Sequence, residues 1–148
     1  MNDKKDKYEL LKIENQLCFP LYAASRKIVN LYSPRLKPLG LTYTQYIVFL
    51  VLWEYAPIAV GELGKKLYLD NGTLTPLLKK LESDGYVKRS RSSEDERIVM
   101  ISLTDKGMEL KDKAVDVPVS MASCLTLNNE SAKSLYDILY SILNDNAE

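Results

Sequence analysis

Histidine is absent from the 148 residues, cysteine occurs twice and tryptophan once, and 20 basic and 20 acidic side chains leave no net charge. Without histidine there is no Ser-His-Asp or Cys-His nucleophile pair, and no zinc site that needs imidazole. Two cysteines cannot form an all-thiolate zinc site, and Cys18 and Cys124 are far from any CxxC spacing. No phosphate-cradling loop is present either. No cofactor, no metal and no enzymatic activity are expected. The longest apolar run, Tyr46 to Trp53, is too short to span a bilayer. Met1 to Lys7 is charged with no apolar stretch behind it, which does not read as a secretion signal. The expectation is a cytoplasmic protein with reduced thiols and no membrane partner.

What remains is one domain's worth of chain, 46% apolar, long enough to bury roughly two thirds of its unfolded surface without disulfide or metal staples. Zero net charge counts against nucleic acid as a partner, because phosphate contacts dominate that binding. The distribution qualifies this. Residues 1–60 carry 8 basic and 5 acidic side chains, residues 61–104 carry 8 and 7, and residues 105–148 carry 4 and 8. Between Thr73 and Arg91 stand Lys79, Lys80, Lys88, Arg89 and Arg91 against Glu82 and Asp84.

Leu10, Leu17, Leu21 and Ile28 recur at helical spacing, which predicts a first helix from about residue 9 to Tyr32. Pro20 inside it predicts a kink or a helix start near Cys18. Ser33-Pro34 ends the pattern, and Pro34 opens a short helix closed by Gly40. Thr42-Tyr43-Thr44-Gln45 fits a capping box, with Leu41 and Tyr46 as its hydrophobic staple, for a helix to about Tyr55. After Ala56-Pro57 and the apolar Ile58 to Val60 comes a helix of about Gly61 to Tyr68, then a turn at Leu69-Asp70-Asn71-Gly72.

In the next helix, about Gly72 to Asp84, Leu74, Leu77, Leu78 and Leu81 share one face, leaving Thr75, Pro76, Lys79, Lys80 and Ser83 on the other. Gly85 ends it. Strands Tyr86 to Arg91 and Arg97 to Leu103 follow, with Val99, Ile101 and Leu103 inward and a charged tip at 92–96. Thr104 caps a helix from Asp105 toward Val117, interrupted by Pro118. Asn128-Asn129-Glu130 starts a last amphipathic helix.

Two short helices joined by a tight turn, then a basic hairpin, make a winged helix-turn-helix. The fold class expected is mainly α with a small β-hairpin wing. The small side chains Gly72, Thr73, Thr75 and Pro76 let the second helix approach base edges, while Lys79, Lys80, Arg89 and Arg91 reach phosphates. Arg97 at the hairpin tip is long enough to enter a minor groove, with Asp95 placed to orient it. The plainer alternatives are a solvated lysine face with an ordinary hairpin, or a winged helix that binds protein.

Asp95-Glu96-Arg97 followed by Ile101-Ser102-Leu103-Thr104-Asp105-Lys106-Gly107 resembles the wing signature of MarR-family transcriptional regulators. Leu67 to Glu82, with Asn15 to Phe19 and Leu21-Tyr22, is similar to the organic-hydroperoxide-sensing group of that family. The resemblance covers about residues 13 to 118. It implies a homodimer bound to double-stranded DNA at a pseudo-palindromic operator, with organic hydroperoxide as inducer. Residues 1–57 would carry dimerisation helices and the sensor, 58–104 the winged helix-turn-helix and 105–148 further dimerisation helices, in one continuous domain.

On its own residues, Cys18 reads as a small apolar side chain among Leu17, Phe19, Leu21 and Tyr22. The resemblance implies the redox sensor, with Tyr32 and Tyr43 donating hydrogen bonds to its sulfur. Cys18 and Tyr32 are 14 residues apart, about 21 Å along a continuous helix. Unless the chain folds back near Ser33, that contact crosses a dimer interface. Cys124 is either a resolving thiol or a structural one. The rival within the family is release by a small aromatic ligand bound among Tyr22, Tyr43, Tyr46 and Trp53, with Cys18 inert.

Overall fold

The computed structural model describes residues 7–145. The charged N-terminus through Asp6, read above as no secretion signal, lies outside them. No helix among the described residues is long and apolar enough to cross a membrane. The chain divides into two compact units, Met1–Val117 and Pro118–Glu148.

In the first unit, α1 spans Cys18–Leu36, α2 Tyr43–Tyr55, α3 Val60–Leu67, α4 Asn71–Ser83 and α5 Asp105–Ala114. The strands are β1 Ile58–Ala59, β2 Val87–Arg91 and β3 Val99–Leu103. α6, Asp116–Ala122, crosses the seam, and α7, Asn129–Asn144, belongs to the second unit.

Four helix starts follow the capping logic of the sequence. Thr42 and Gln45 form the reciprocal capping box of α2. Asp70 accepts from the Thr73 amide at 2.8 Å, and Asn128 from the Ser131 amide at 2.8 Å. Thr104 Oγ1 accepts from the Gly107 amide at 3.1 Å. Because Thr104 is half-buried, Thr104→Ala is expected to cost about 1–2 kcal/mol, read as a lower urea midpoint with unchanged slope.

Prolines correct the expected boundaries. Pro20 is the third residue of α1, where no acceptor is needed for an amide, so it marks a start and not a kink. Ile13–Asn15 forms a separate 3₁₀ turn ahead of it. At the other end α1 runs through Pro34 to Leu36, and Arg35 Nη1 donates to the Leu31 carbonyl at 2.7 Å in this last turn. Pro34 therefore neither ends the helix nor opens a new one. The short turn is Lys37–Leu39, closed by Gly40 at φ +69°. Pro118 likewise lies inside α6, and the break falls earlier, at Val115.

Leu36, Tyr46, Val48, Phe49, Leu52, Leu63, Leu74, Leu78, Leu81, Val87 and Ile101 form the core of the first unit. Val99 and Leu103 pack against it beside Ile101, as the alternation of β3 requires. The sheet has the order β1-β3-β2, all antiparallel, with Val87 opposite Leu103 and Ile58 opposite Ile101. Sequence periodicity had nothing to say about β1, which is two residues long. The leucines of the expected first helix turn away from this core: Leu10, Leu17 and Leu21 are exposed, Leu17 at 85%.

Candidate nucleic-acid interface and thiol site

α3 and α4 are joined by a turn in which Tyr68 takes the left-handed conformation at φ +54° and the Leu69 amide bonds to the Gly64 carbonyl at 3.0 Å. Gly64 makes this close crossing possible, since a Cβ there would stand 2.6 Å from the Leu69 carbonyl oxygen. Asp70 then caps α4 twice, by the Thr73 amide and by the Thr73 hydroxyl at 3.1 Å. These bonds, the amide first, hold its carboxyl below the ordinary aspartate range.

The outer face of α4 carries exposed Gly72, Thr73, Pro76, Lys79 and Lys80, with Thr75 half-buried. Lys80 pairs with Asp84 at 2.9 Å, one turn on, whereas Lys79 has no ion pair among the described residues. Pro76 is the sixth residue of α4, beyond the first turn, and so withholds one amide from the Gly72 carbonyl.

In the wing, residues 92–98 form the loop and β3 starts at Val99, two residues later than the alternation suggests. Arg97 stands in the loop with its side chain 90% exposed. Asp95 braces it with both oxygens: Nε to Oδ1 and Nη2 to Oδ2 are each 3.0 Å, and the Arg97 amide also donates to Oδ1. The Arg97 guanidinium is thereby the main cause of an Asp95 carboxyl held below its usual 3.8. Arg91 donates across the loop to the Glu96 carbonyl at 2.9 Å.

Arg89 departs from its expected place in a phosphate-contacting surface. Its guanidinium turns toward Glu82 of α4 at 3.7 Å, and its amide donates to Glu82 Oε1 at 3.0 Å. Its side chain is only 24% exposed, with Nε buried and without a hydrogen-bond partner. Arg89 therefore straps the wing to α4. Beside it, a cleft of about 380 Å³ opens between Thr75 and Leu78 of α4 and Arg97 to Val99 of the wing.

The tyrosines expected near the sensor do come together. The Tyr32 and Tyr43 rings are 4.8 Å apart, with Tyr46 at 5.8 Å from Tyr32. Burial, then the neighbouring Tyr32, raises the pKa of Tyr43, so its hydroxyl stays a proton donor at neutral pH. Cys18 is not with them. It is exposed at the first residue of α1, and the unbroken helix carries Tyr32 about 21 Å away. Cys124 is half-buried and stands 3.5 Å from the Ser120 carbonyl. Nor do Tyr22, Tyr43, Tyr46 and Trp53 line one pocket. Tyr46 is 3% exposed in the core, and Trp53 stacks on Phe49 while donating to the Gly107 carbonyl at 2.9 Å. The cavity at Tyr43 is walled by Val29, Asn30, Ser33 and Lys37, and Tyr22 borders a different groove with Phe19 and Arg26.

Sequence reasoning missed the contacts around α5. Lys106 reaches the Asp84 carbonyl, and Trp53 reaches Gly107 across 54 residues. The only sign of them was the glycine in the wing signature.

Residues 30–114 match the family described as transcriptional regulator SarA/Rot. The organic hydroperoxide resistance transcriptional regulator of Bacillus subtilis (strain 168) is 48% identical over 139 residues, covering 94% of this chain and 95% of its own. Among solved structures, reduced AbfR bound to DNA superposes with a TM-score of 0.78 at 39% identity, over 96% of this chain and 99% of that one. AbfR of Staphylococcus epidermidis is also known in a disulfide form, with a TM-score of 0.64 at 37% identity over 96% and 100% of the two chains. The reduced form of MarR from Escherichia coli matches with a TM-score of 0.70 at 28% identity, over 86% and 96%. The chain belongs to the MarR-type winged-helix transcriptional regulators of the SarA/Rot family, in the organic-hydroperoxide-resistance group, and is a regulator and not an enzyme.

Proposed function

We propose that this regulator is a homodimeric repressor that holds a pseudo-palindromic operator when Cys18 is reduced and lets go when an organic hydroperoxide oxidises it. The observation that carries the reading is the pairing of one exposed thiol at the head of α1 with a tyrosine pair on the same unit that this thiol cannot reach. Two copies resolve the mismatch: the thiol of one meets Tyr32 and Tyr43 of the other.

Exposed apolar side chains support the second copy. Leu10, Leu11, Ile13 and Leu17 ahead of and at the start of α1, and Leu135, Ile138, Ile142 and Leu143 on α7, are all exposed in a single chain. Their separate burial against an identical chain is worth about 1.5–3 kcal/mol per side chain. In the dimer, two α4 helices address successive major grooves about 34 Å apart, with Arg97 of each wing in the flanking minor groove. Thr73, Thr75 and Pro76 approach base edges, and Lys79, Lys80 and Arg91 meet phosphates.

The chemistry is a two-electron oxidation. The Cys18 thiolate attacks the outer peroxide oxygen, the O–O bond breaks, and the alkoxide leaves as alcohol after taking a proton. The resulting sulfenic acid condenses with a second thiol, releasing water and forming a disulfide. Cys124 is the candidate second thiol, and the disulfide form of the similar AbfR supports that choice. The bulkier sulfur breaks the tyrosine hydrogen bonds and shifts the interface that spaces the two α4 helices.

The test is duplex binding by fluorescence anisotropy before and after one equivalent of cumene hydroperoxide. Affinity of the native protein is expected to fall about tenfold or more, and that of Cys18→Ser by less than twofold. Equal release of both proteins would sink the thiol mechanism and favour a bound effector. Non-reducing intact mass then separates a Cys18–Cys124 crosslink from a mixed disulfide with added thiol.

A further inference from the structure

The recognition helix ends on a clamp supplied by a different helix. Three successive carbonyls, of Asp84, Gly85 and Tyr86, carry the chain from α4 into β2. Lys106 Nζ donates to the Asp84 carbonyl at 2.7 Å. Thr104 Oγ1 lies 2.7 Å from the Gly85 carbonyl and 3.1 Å from that of Tyr86. The Lys106 ammonium also sits 4.4 Å from the centroid of the Tyr86 ring. Its stem passes left-handed Gly85, where a Cβ would stand 3.9 Å from its Cδ. Tyr86 in turn meets Phe49 edge-on at 5.6 Å, Phe49 stacks on Trp53 at 5.3 Å, and Trp53 bonds back to Gly107, the neighbour of Lys106. The ring of contacts joins α2, α5 and the end of α4.

We propose that Lys106 is a positioning residue for operator binding: it fixes where α4 stops, and so the angle at which Thr73, Thr75 and Lys79 are presented. The claim rests on the DNA-binding reading above. α4 has 13 residues, about 18 Å between its ends. A tilt of about 10° at the clamped end moves the other by about 3 Å, the whole length of a hydrogen bond. Because α2 also carries Tyr43 and Tyr46, the same ring connects the tyrosine cluster to the pitch of α4. Lys106 does this without touching the duplex, since its ammonium is already turned onto a carbonyl and a ring.

The probe is the tightest duplex that the native protein selects from a random-sequence library, compared with a scrambled duplex of the same composition at several salt concentrations. Lys106→Met keeps the stem and removes the clamp. It is expected to lose about five- to tenfold in affinity for the selected duplex and less than twofold for the scrambled one, with the salt slope unchanged. Lys106→Arg, which keeps donor and charge, is expected to stay within twofold of native on both. Equal losses on the two duplexes with a slope smaller by about one per subunit would mean a direct phosphate contact and overturn the proposal. So would unchanged affinity with only a lower unfolding temperature, which would make the clamp purely structural. A native protein that selects no duplex would remove the DNA reading, and this proposal with it, before any variant is compared.

Discussion

Gly107→Ala is expected to destabilise the regulator by about 3 kcal/mol, a large part of the roughly 5–15 kcal/mol that holds a domain of this kind together. Gly107 is buried where α5 crosses the start of β2. A Cβ added there drives into the Tyr86 carbonyl oxygen, with the Tyr86 carbonyl carbon at 3.3 Å and Leu103 Cδ2 at 3.0 Å. Backbone is the obstacle, so no rotamer change relieves it. Nor can α5 slide away cheaply. The Gly107 amide is tied to Thr104 Oγ1 at 3.1 Å and its carbonyl to Trp53 Nε1 at 2.9 Å, so any shift breaks a cap or a half-buried indole bond. At about 2–4 °C per kcal/mol for a chain of this size, the unfolding temperature should drop by roughly 10 °C. Gly61→Ala is the control: nothing lies within 4 Å of its Cβ, and as a helical position it should be neutral or slightly stabilising. If Gly107→Ala melts with the native protein, α5 does not cross the Tyr86 backbone this closely.

The glycines divide by whether the need for them is visible in the local sequence. Gly40 and Gly85 announce themselves because each follows a helical pattern and ends it, a local relation that periodicity exposes. Gly64 is needed because the turn brings the Leu69 carbonyl back onto it, and Gly107 because Tyr86 of another element comes too close; helical periodicity exposes neither. The caps behave like the first pair. Thr42, Asp70, Thr104 and Asn128 each bond an amide three residues on, so residue type and spacing are enough. Prolines are ambiguous by nature. Pro34 and Pro118 mark a missing donor, but the first turn of α6 has donors to spare and α1 continues for two residues past Pro34, so neither coincides with a boundary.

Among the site residues the same division holds. The bracing of Arg97 by Asp95 spans two residues and could be foreseen. The inward turn of Arg89 depends on where Glu82 of another element stands, and by charge alone Arg89 is indistinguishable from Arg91. The distance from Cys18 to Tyr32 was legible as arithmetic on a helix, because α1 is continuous between them. That α1 begins at Cys18 itself was one of two outcomes that Pro20 allowed.

Arg97→Ala is expected to weaken binding of the selected duplex by about ten- to a hundredfold, the range of one good groove contact made by each wing of the proposed dimer. The salt slope should also fall, since the proposed dimer would lose a cation from each subunit. Asp95→Ala separates charge from orientation. The guanidinium remains, but its planar fork loses two bonds and its amide a third, so a 90% exposed side chain pays the ordering cost on binding. A smaller loss follows, about three- to tenfold, with the salt slope unchanged. The pH dependence has a definite sign. The folded-state pKa of Asp95 lies below its unfolded value of 3.8, so the brace is complete above that value and is lost only as pH falls through the lower one. Between about pH 5 and 8 its contribution is therefore constant, and the ratio of native to Asp95→Ala affinity should be flat across that window. A ratio that collapses toward one at pH 5 would show that the brace is not what orients Arg97. Arg97→Ala indistinguishable from native would remove the wing from the interface and leave recognition to α4 alone.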